Sequence, residues 1–139
     1  MREKEKKAIA LLDDGYTCAL VGGNKTLTSK QRGVAPLLAW LDGGENCKDM
    51  VAADKVVGKA AAYLYVLLGV AFVHAKVISK GAEEVFHRFS LLYSFEERVE
   101  AIRNRAGDGF CPMERAVWEI EDPQKAYEKI VQTRKELKK

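Results

Sequence analysis

Between Met50 and Ser79 the chain carries formal charge only at Asp54, Lys55, Lys59 and Lys76. A stretch so apolar has to be buried, and glycines divide it into three parts. Met50 to Val57 predicts a strand, with Asp54 and Lys55 toward its carboxyl end. From Gly58 to Leu68 alanine and leucine dominate. That predicts a helix, apolar all round apart from Lys59 and two tyrosine hydroxyls, and closed by Gly69. Val70 to Ile78 is a β-branched run and predicts a second strand. Strand, helix and strand in this order predict parallel, adjacent strands joined by a right-handed crossover.

The flanks complete a mixed sheet. Arg2 to Asp13 predicts a short amphipathic helix ended by Gly15. Tyr16–Val21 and Lys25–Ser29 surround Gly22-Gly23-Asn24, residues that tolerate positive φ, and predict a hairpin. Val34 to Asp42 predicts a helix, with Pro36 in its first turn. After the second strand, Ser79 is a candidate N-cap for a helix over about Ala82–Leu92. A further helix is predicted over about Phe95–Asn104. Cys111-Pro112 opens a short helix to about Ile120, and Asp122-Pro123 starts the last one. The fold class expected is α/β, a three-layer α-β-α domain over residues 1–139 in which a hairpin precedes a βαβα unit.

Composition removes several functions. The 139 residues are 47% hydrophobic and 31% charged, enough apolar material for one core. Lys and Arg exceed Asp and Glu by 23 − 20 = 3. That excess does not call for nucleic acid or a membrane as partner, and the aromatics are too scattered for a base-stacking platform. The apolar run Ala8–Leu12 is short for a secretory signal, and Ala60–Val73, broken by Gly69, is short for a membrane span. Three cysteines without regular spacing do not form a disulfide framework, so a reducing cytoplasm is the expected location. No cofactor is called for. The two histidines, His74 and His87, belong to no metal-ligand motif, and no metal site is expected.

Three places carry chemistry. In parallel sheets ligands favour the carboxyl ends of strands. The first place is Asp54-Lys55 with Gly58-Lys59, where a strand enters a helix whose free N–H groups suit an anion. Gly58 would let a ligand approach the backbone and Lys59 would add charge, although the residues around them do not make a P-loop. The bland alternative is a turn glycine and a snorkelling lysine. The second is Ser79, at the next strand end, where the alternative is a helix cap alone. The third is Asn104-Arg105 through Cys111 and Glu114. Cys111 stands at a helix entrance, a setting that favours thiolate, and Glu114 follows at capping-box spacing. Arg105 can pair with a phosphate or with Glu114. This segment reads either as a reactive thiol with an acid nearby or as a cap holding a loop to the sheet.

Four segments together resemble a prokaryotic domain-of-unknown-function family with a cytidine-deaminase-like fold. They are the DKVVGKAAA region (Val51–Ala62), Gly69–Ser79, the NRxGxGxCPME pattern (Asn104–Glu114) and Leu27–Leu41. The resemblance spans about Tyr16 to Leu137 and implies the α-β-α layers. Zinc deaminases place an H/C-x-E motif at the first residues of the crossover helix and P-C-x-x-C at the start of the next. Here those places hold Gly58-Lys59-Ala60 and the Ser79–Glu83 turn, without a ligand or a catalytic Glu. The fold carries over; zinc and deamination do not.

Two functions are weighed on this basis. In one, a nucleoside- or nucleotide-like small molecule binds at the strand-end crevice. Lys55, Gly58, Lys59, Ser79, Asn104 and Arg105 hold it, Asp54 serves as hydroxyl ligand or base, and Cys111 and Glu114 complete the chemistry. In the other, the chain is a non-catalytic regulatory or protein-interaction module. It would work through the basic last helix, which bears Lys125, Lys129, Arg134, Lys135, Lys138 and Lys139. Redox sensing at Cys111 is a minor third reading. Exposed sheet edges are compatible with a homodimer.

Overall fold

A computed structural model of the chain describes residues 2–104, 106–107 and 109–137. In chain order they form α1 (Arg2–Asp13), β1 (Cys18–Val21), β2 (Thr26–Ser29), α2 (Ala35–Asp42), β3 (Val51–Val57) and α3 (Lys59–Leu68). There follow β4 (Phe72–Ser79), α4 (Lys80–Arg88), β5 (Leu92–Val99), α5 (Pro112–Ala116) and α6 (Pro123–Leu137). The five strands lie in the order β2-β1-β3-β4-β5. β1 runs antiparallel to both neighbours, while β3, β4 and β5 are parallel. The expected hairpin and the parallel pair are both present.

The strand β5 corrects one expectation. The segment Phe95–Asn104, expected to be helical, carries Glu96, Glu97, Arg98 and Glu100, residues that suit a helix surface. The chain instead ends α4 at Arg88, turns through Ser90 at φ 55°, and enters an edge strand. An edge strand with one wet face tolerates such charge, and Tyr93 and Phe95 point inward at the spacing a strand requires. The helix opened by Cys111 is also shorter than expected, closing at Ala116.

The helices divide unequally between the two faces. α1 alone covers one, burying Ala8 and Leu12 against Val21 and Ala53. The main core on the other face is built from Leu20, Ala52, Val73 and Ala75 of the sheet with side chains of α2, α3, α4 and α6. α3 packs against α2, α4 and α6 as well as lying on the sheet, so eight of its residues are buried. That encirclement explains a helix sequence with no polar face. Among the described residues no helix is long and apolar enough to cross a membrane.

Candidate functional site

The pairing of β1 with β3 sets Cys18 opposite Asp54 and Leu20 opposite Ala52. Leu20 and Ala52 belong to the main core, and side chains two residues apart share a face. Asp54 is thereby carried under α3, where Tyr65 waits. The Tyr65 hydroxyl donates to Asp54 Oδ2 at 2.7 Å, and the Val56 N–H donates to Oδ1 at 3.3 Å. Cys18 Sγ lies 3.1 Å from the same hydroxyl. Burial pushes the Asp54 carboxyl up to about 7, against the opposing pull of Tyr65 and of the Val56 and Lys55 N–H groups. Burial, reinforced by the neighbouring Asp54, raises both the Cys18 thiol and the Tyr65 phenol well above their ordinary values.

Asp54 is only 7% exposed, yet it forms part of the wall of a cavity of about 460 Å³. The cavity lies at the carboxyl end of β3. Its wall includes Cys18 from β1, Arg32 from the loop before α2, Lys55 and Gly58, Ala60 and Ala61 of α3, and Met113 of α5. Ile102, Arg103 and Cys111 complete one side. They belong to the two stems of a turn that is bridged between Arg103 and Phe110 and closed by the Cys111 N–H donating to the Ile102 carbonyl. A half-buried Cys111 therefore looks into the same space as Asp54.

The amino end of α3, read from sequence as an anion site, is occupied by the chain's own carboxylate. Glu114 is 2% exposed. Its Oε1 accepts from the Lys59 N–H at 2.6 Å and from Ser79 Oγ at 2.7 Å, and its Oε2 accepts from the Ile102 N–H. A carboxylate at a helix N-terminus is favoured by both the orphan donors and the dipole. Glu114 thus ties α5 to α3, to the β4–α4 turn and to the strand-end segment at 102. It makes no capping box on α5, whose N-cap Cys111 has no side-chain bond to the helix. At Gly58 the backbone is extended (φ −94°, ψ −177°), so any residue could adopt it. What needs glycine there is space, because an added Cβ would stand 3.0 Å from Glu114 Oε1 and from Ile102 Cγ1. The group approaching this backbone is Glu114.

Other candidates lie apart from the cavity. Lys59 Nζ donates to the Trp118 carbonyl and sits 5.9 Å over the Trp118 ring, with burial drawing its ammonium below the ordinary value. Ser79 is fully buried; besides bonding Glu114 it accepts the Ala82 N–H and so caps α4. Asn104 holds the turn, its N–H donating to the Gly109 carbonyl and its carbonyl accepting from the Gly107 N–H. Arg105 lies outside the described residues, as do Lys138 and Lys139. Among the described residues no three His, Cys, Asp or Glu side chains gather in a way that could hold a metal ion.

Sequence reasoning passed over Tyr65, Cys18, Arg32 and Arg103 as site residues. One of these had a signal. A tyrosine in a helix buried on every side needs a partner for its hydroxyl, and Asp54 is the acid nearest the strand end facing that helix. The arginines had none, because nothing in a loop sequence states which cavity the loop will border.

These features define a class: a three-layer α/β protein whose central sheet turns from antiparallel to parallel at β3 and opens a cavity at that strand's carboxyl end. A family model described as TM1506, domain of unknown function (DUF1893), matches residues 7–133, and the chain belongs to that family. It is similar to the crystal structure of a DUF1893 family protein (TM1506) from Thermotoga maritima, with 25% sequence identity and a TM-score of 0.88. That similarity covers 95% of this chain and 90% of the other. No curated protein matches this chain.

Proposed function

We propose that the protein binds a nucleoside- or nucleotide-like small molecule in the cavity beside β3, on a scaffold of the cytidine-deaminase-like kind. The observation that carries this reading is Asp54, a buried carboxyl fixed by two hydrogen bonds that is nevertheless part of a cavity wall. A volume of about 460 Å³ falls within the range of small-molecule sites. A carboxyl raised to about 7 exists in both forms at neutral pH. It can accept from an amino group or donate to a ring nitrogen or carbonyl, which are the groups along the edge of a nucleobase. The same property suits general acid–base work. A zinc ion of the deaminase kind does not fit, since Gly58-Lys59-Ala60 and the Ser79–Glu83 turn supply no ligand set. No step is routed through one.

The test is titration calorimetry with the four common nucleosides and their 5′-monophosphates, on the wild type and on Asp54→Asn. The expected result is saturable binding by at least one base, weakened about ten-fold or more by the substitution while the fold is retained. Absence of binding by every compound at millimolar concentration would overturn the reading. So would binding that Asp54→Asn leaves untouched.

A further inference from the structure

Among the described residues four lysine and arginine side chains pair with a carboxylate, and most, including the three that line the cavity, do not. Lys25, Lys76, Lys80 and Arg98 each meet a carboxylate, on Glu45, Asp13, Glu100 and Glu83 respectively. Among the described residues, Arg32, Lys55 and Arg103 meet none, and all three line the cavity. They arrive on three separate segments: the loop before α2, the carboxyl half of β3, and the stem that follows β5. Arg103 is held from behind, its guanidinium 5.3 Å over the Phe110 ring, which itself stacks on Trp118 at 6.1 Å and 8°.

Among the described residues neither acid in the wall, Asp54 or Glu114, forms an ion pair with these cations. Both oxygens of Glu114 are taken by N–H groups and the Ser79 hydroxyl, and both oxygens of Asp54 by Tyr65 and Val56. Among the described residues, Arg32 and Arg103 border one concave space without a carboxylate partner. Guanidinium forks match the oxygens of phosphate and carboxylate, and a concave wall of one sign concentrates ligands of the other.

We propose that the cavity takes an anionic ligand, with a phosphate or carboxylate group seated between Arg32 and Arg103 and the ligand's polar head directed to Asp54. This rests on reading the cavity as a binding site. It moves the anion from the α3 amino end, where Glu114 already sits, to the arginine side of the cavity.

The experiment uses the whole chain and titrates nucleosides, their 5′-monophosphates, ribose 5-phosphate and a matching 5′-carboxylate at about 50 and about 500 mM salt. The monophosphate is expected to bind about ten-fold or more tighter than its nucleoside at low salt. The advantage shrinks at high salt and falls below about two-fold in Arg32→Ala/Arg103→Ala. Lys25→Ala, which breaks an ion pair away from the cavity, keeps it. The carboxylate arm separates a general anion seat from one that prefers phosphate. Equal binding of nucleoside and monophosphate, or an advantage that survives the double substitution, overturns the anion seat. In that case the proposed function stands if Asp54→Asn still weakens the nucleoside. Ribose 5-phosphate that binds through the arginines, with the base adding nothing, keeps the anion seat and overturns the base-reading role of Asp54. Binding by none of these compounds overturns both.

Discussion

At the scale of single residues, Asp54 is the group whose surroundings most change its chemistry. Its carboxyl shifts from an ordinary 3.8 to about 7 in the folded chain, chiefly through burial. Between those values the folded protein binds more protons than the unfolded one, so stability falls as pH rises from about 4 to about 7 and levels off above. At about 1.36 kcal/mol per unit the full effect is at most about 4 kcal/mol. Asp54→Asn removes the ionisation. The variant is therefore expected to match the wild type near pH 4 and to be more stable, by up to about that amount, at pH 8. Its amide can still engage the Tyr65 hydroxyl. Urea melts of both proteins across this range check the expectation, since every other titrating group cancels in the difference. A difference that stays flat from pH 4 to 8 would mean that the carboxyl is not held neutral by the fold. Half of this was legible beforehand. Asp54 stood out as an acid in a buried strand, but the burial that alters it comes from Tyr65 and Cys18, which reach it through strand register and helix packing.

At the scale of elements, Glu114 decides how the strand ends are joined. Removing it leaves the Lys59 and Ile102 N–H groups without an acceptor and frees the Ser79 hydroxyl. Glu114→Ala is expected to cost about 3 kcal/mol or more, and Glu114→Gln less, because the amide keeps one acceptor but turns donors toward donors. Gly58→Ala is expected to cost about 1–3 kcal/mol, since the new methyl meets the same carboxylate and Ile102. Ser79→Ala loses a helix cap and is expected to cost about 1 kcal/mol. Chemical denaturation of the four variants orders them. A Glu114→Ala protein as stable as the wild type would remove Glu114 from its place as the tie between these elements. The spacing from Cys111 to Glu114 pointed to a cap, and Glu114 does cap a helix, but a different one, 55 positions away in sequence. Local spacing reveals which residues can cap; tertiary packing chooses the helix. The β5 strand was missed for a related reason. Its Glu-Glu-Arg run has helix-forming side chains, and the edge position that tolerates them follows from the sheet order, which only the assembled fold defines.

At the scale of the whole molecule, the layers separate stability from the site. α6 was read as a candidate partner-binding surface. Its Ala126 and Ile130 are fully buried in the main core, however, and Tyr127 donates to Asp42 at the end of α2. Cutting the chain after Tyr127 would remove Ile130 and damage the core, so exposed Lys125 and Lys135 are the residues with which to examine that surface. α1 offers the cleaner separation. It covers the sheet face opposite the cavity, held by Ala8 and Leu12 against Val21 and Ala53 and by the 2.9 Å Lys76–Asp13 pair. Leu12→Ala opens a void in this smaller core and is expected to cost about 3 kcal/mol. None of the cavity-lining residues belongs to α1, and the sheet between the two layers is hydrogen-bonded across all five strands. The Leu12→Ala protein is therefore expected to melt earlier while binding the cavity's ligand with unchanged affinity below its transition. Thermal melting and calorimetric titration on the same sample measure the two quantities. An affinity that falls with the stability would show that the α1 layer controls the shape of the cavity across the sheet, and that the two faces do not act independently.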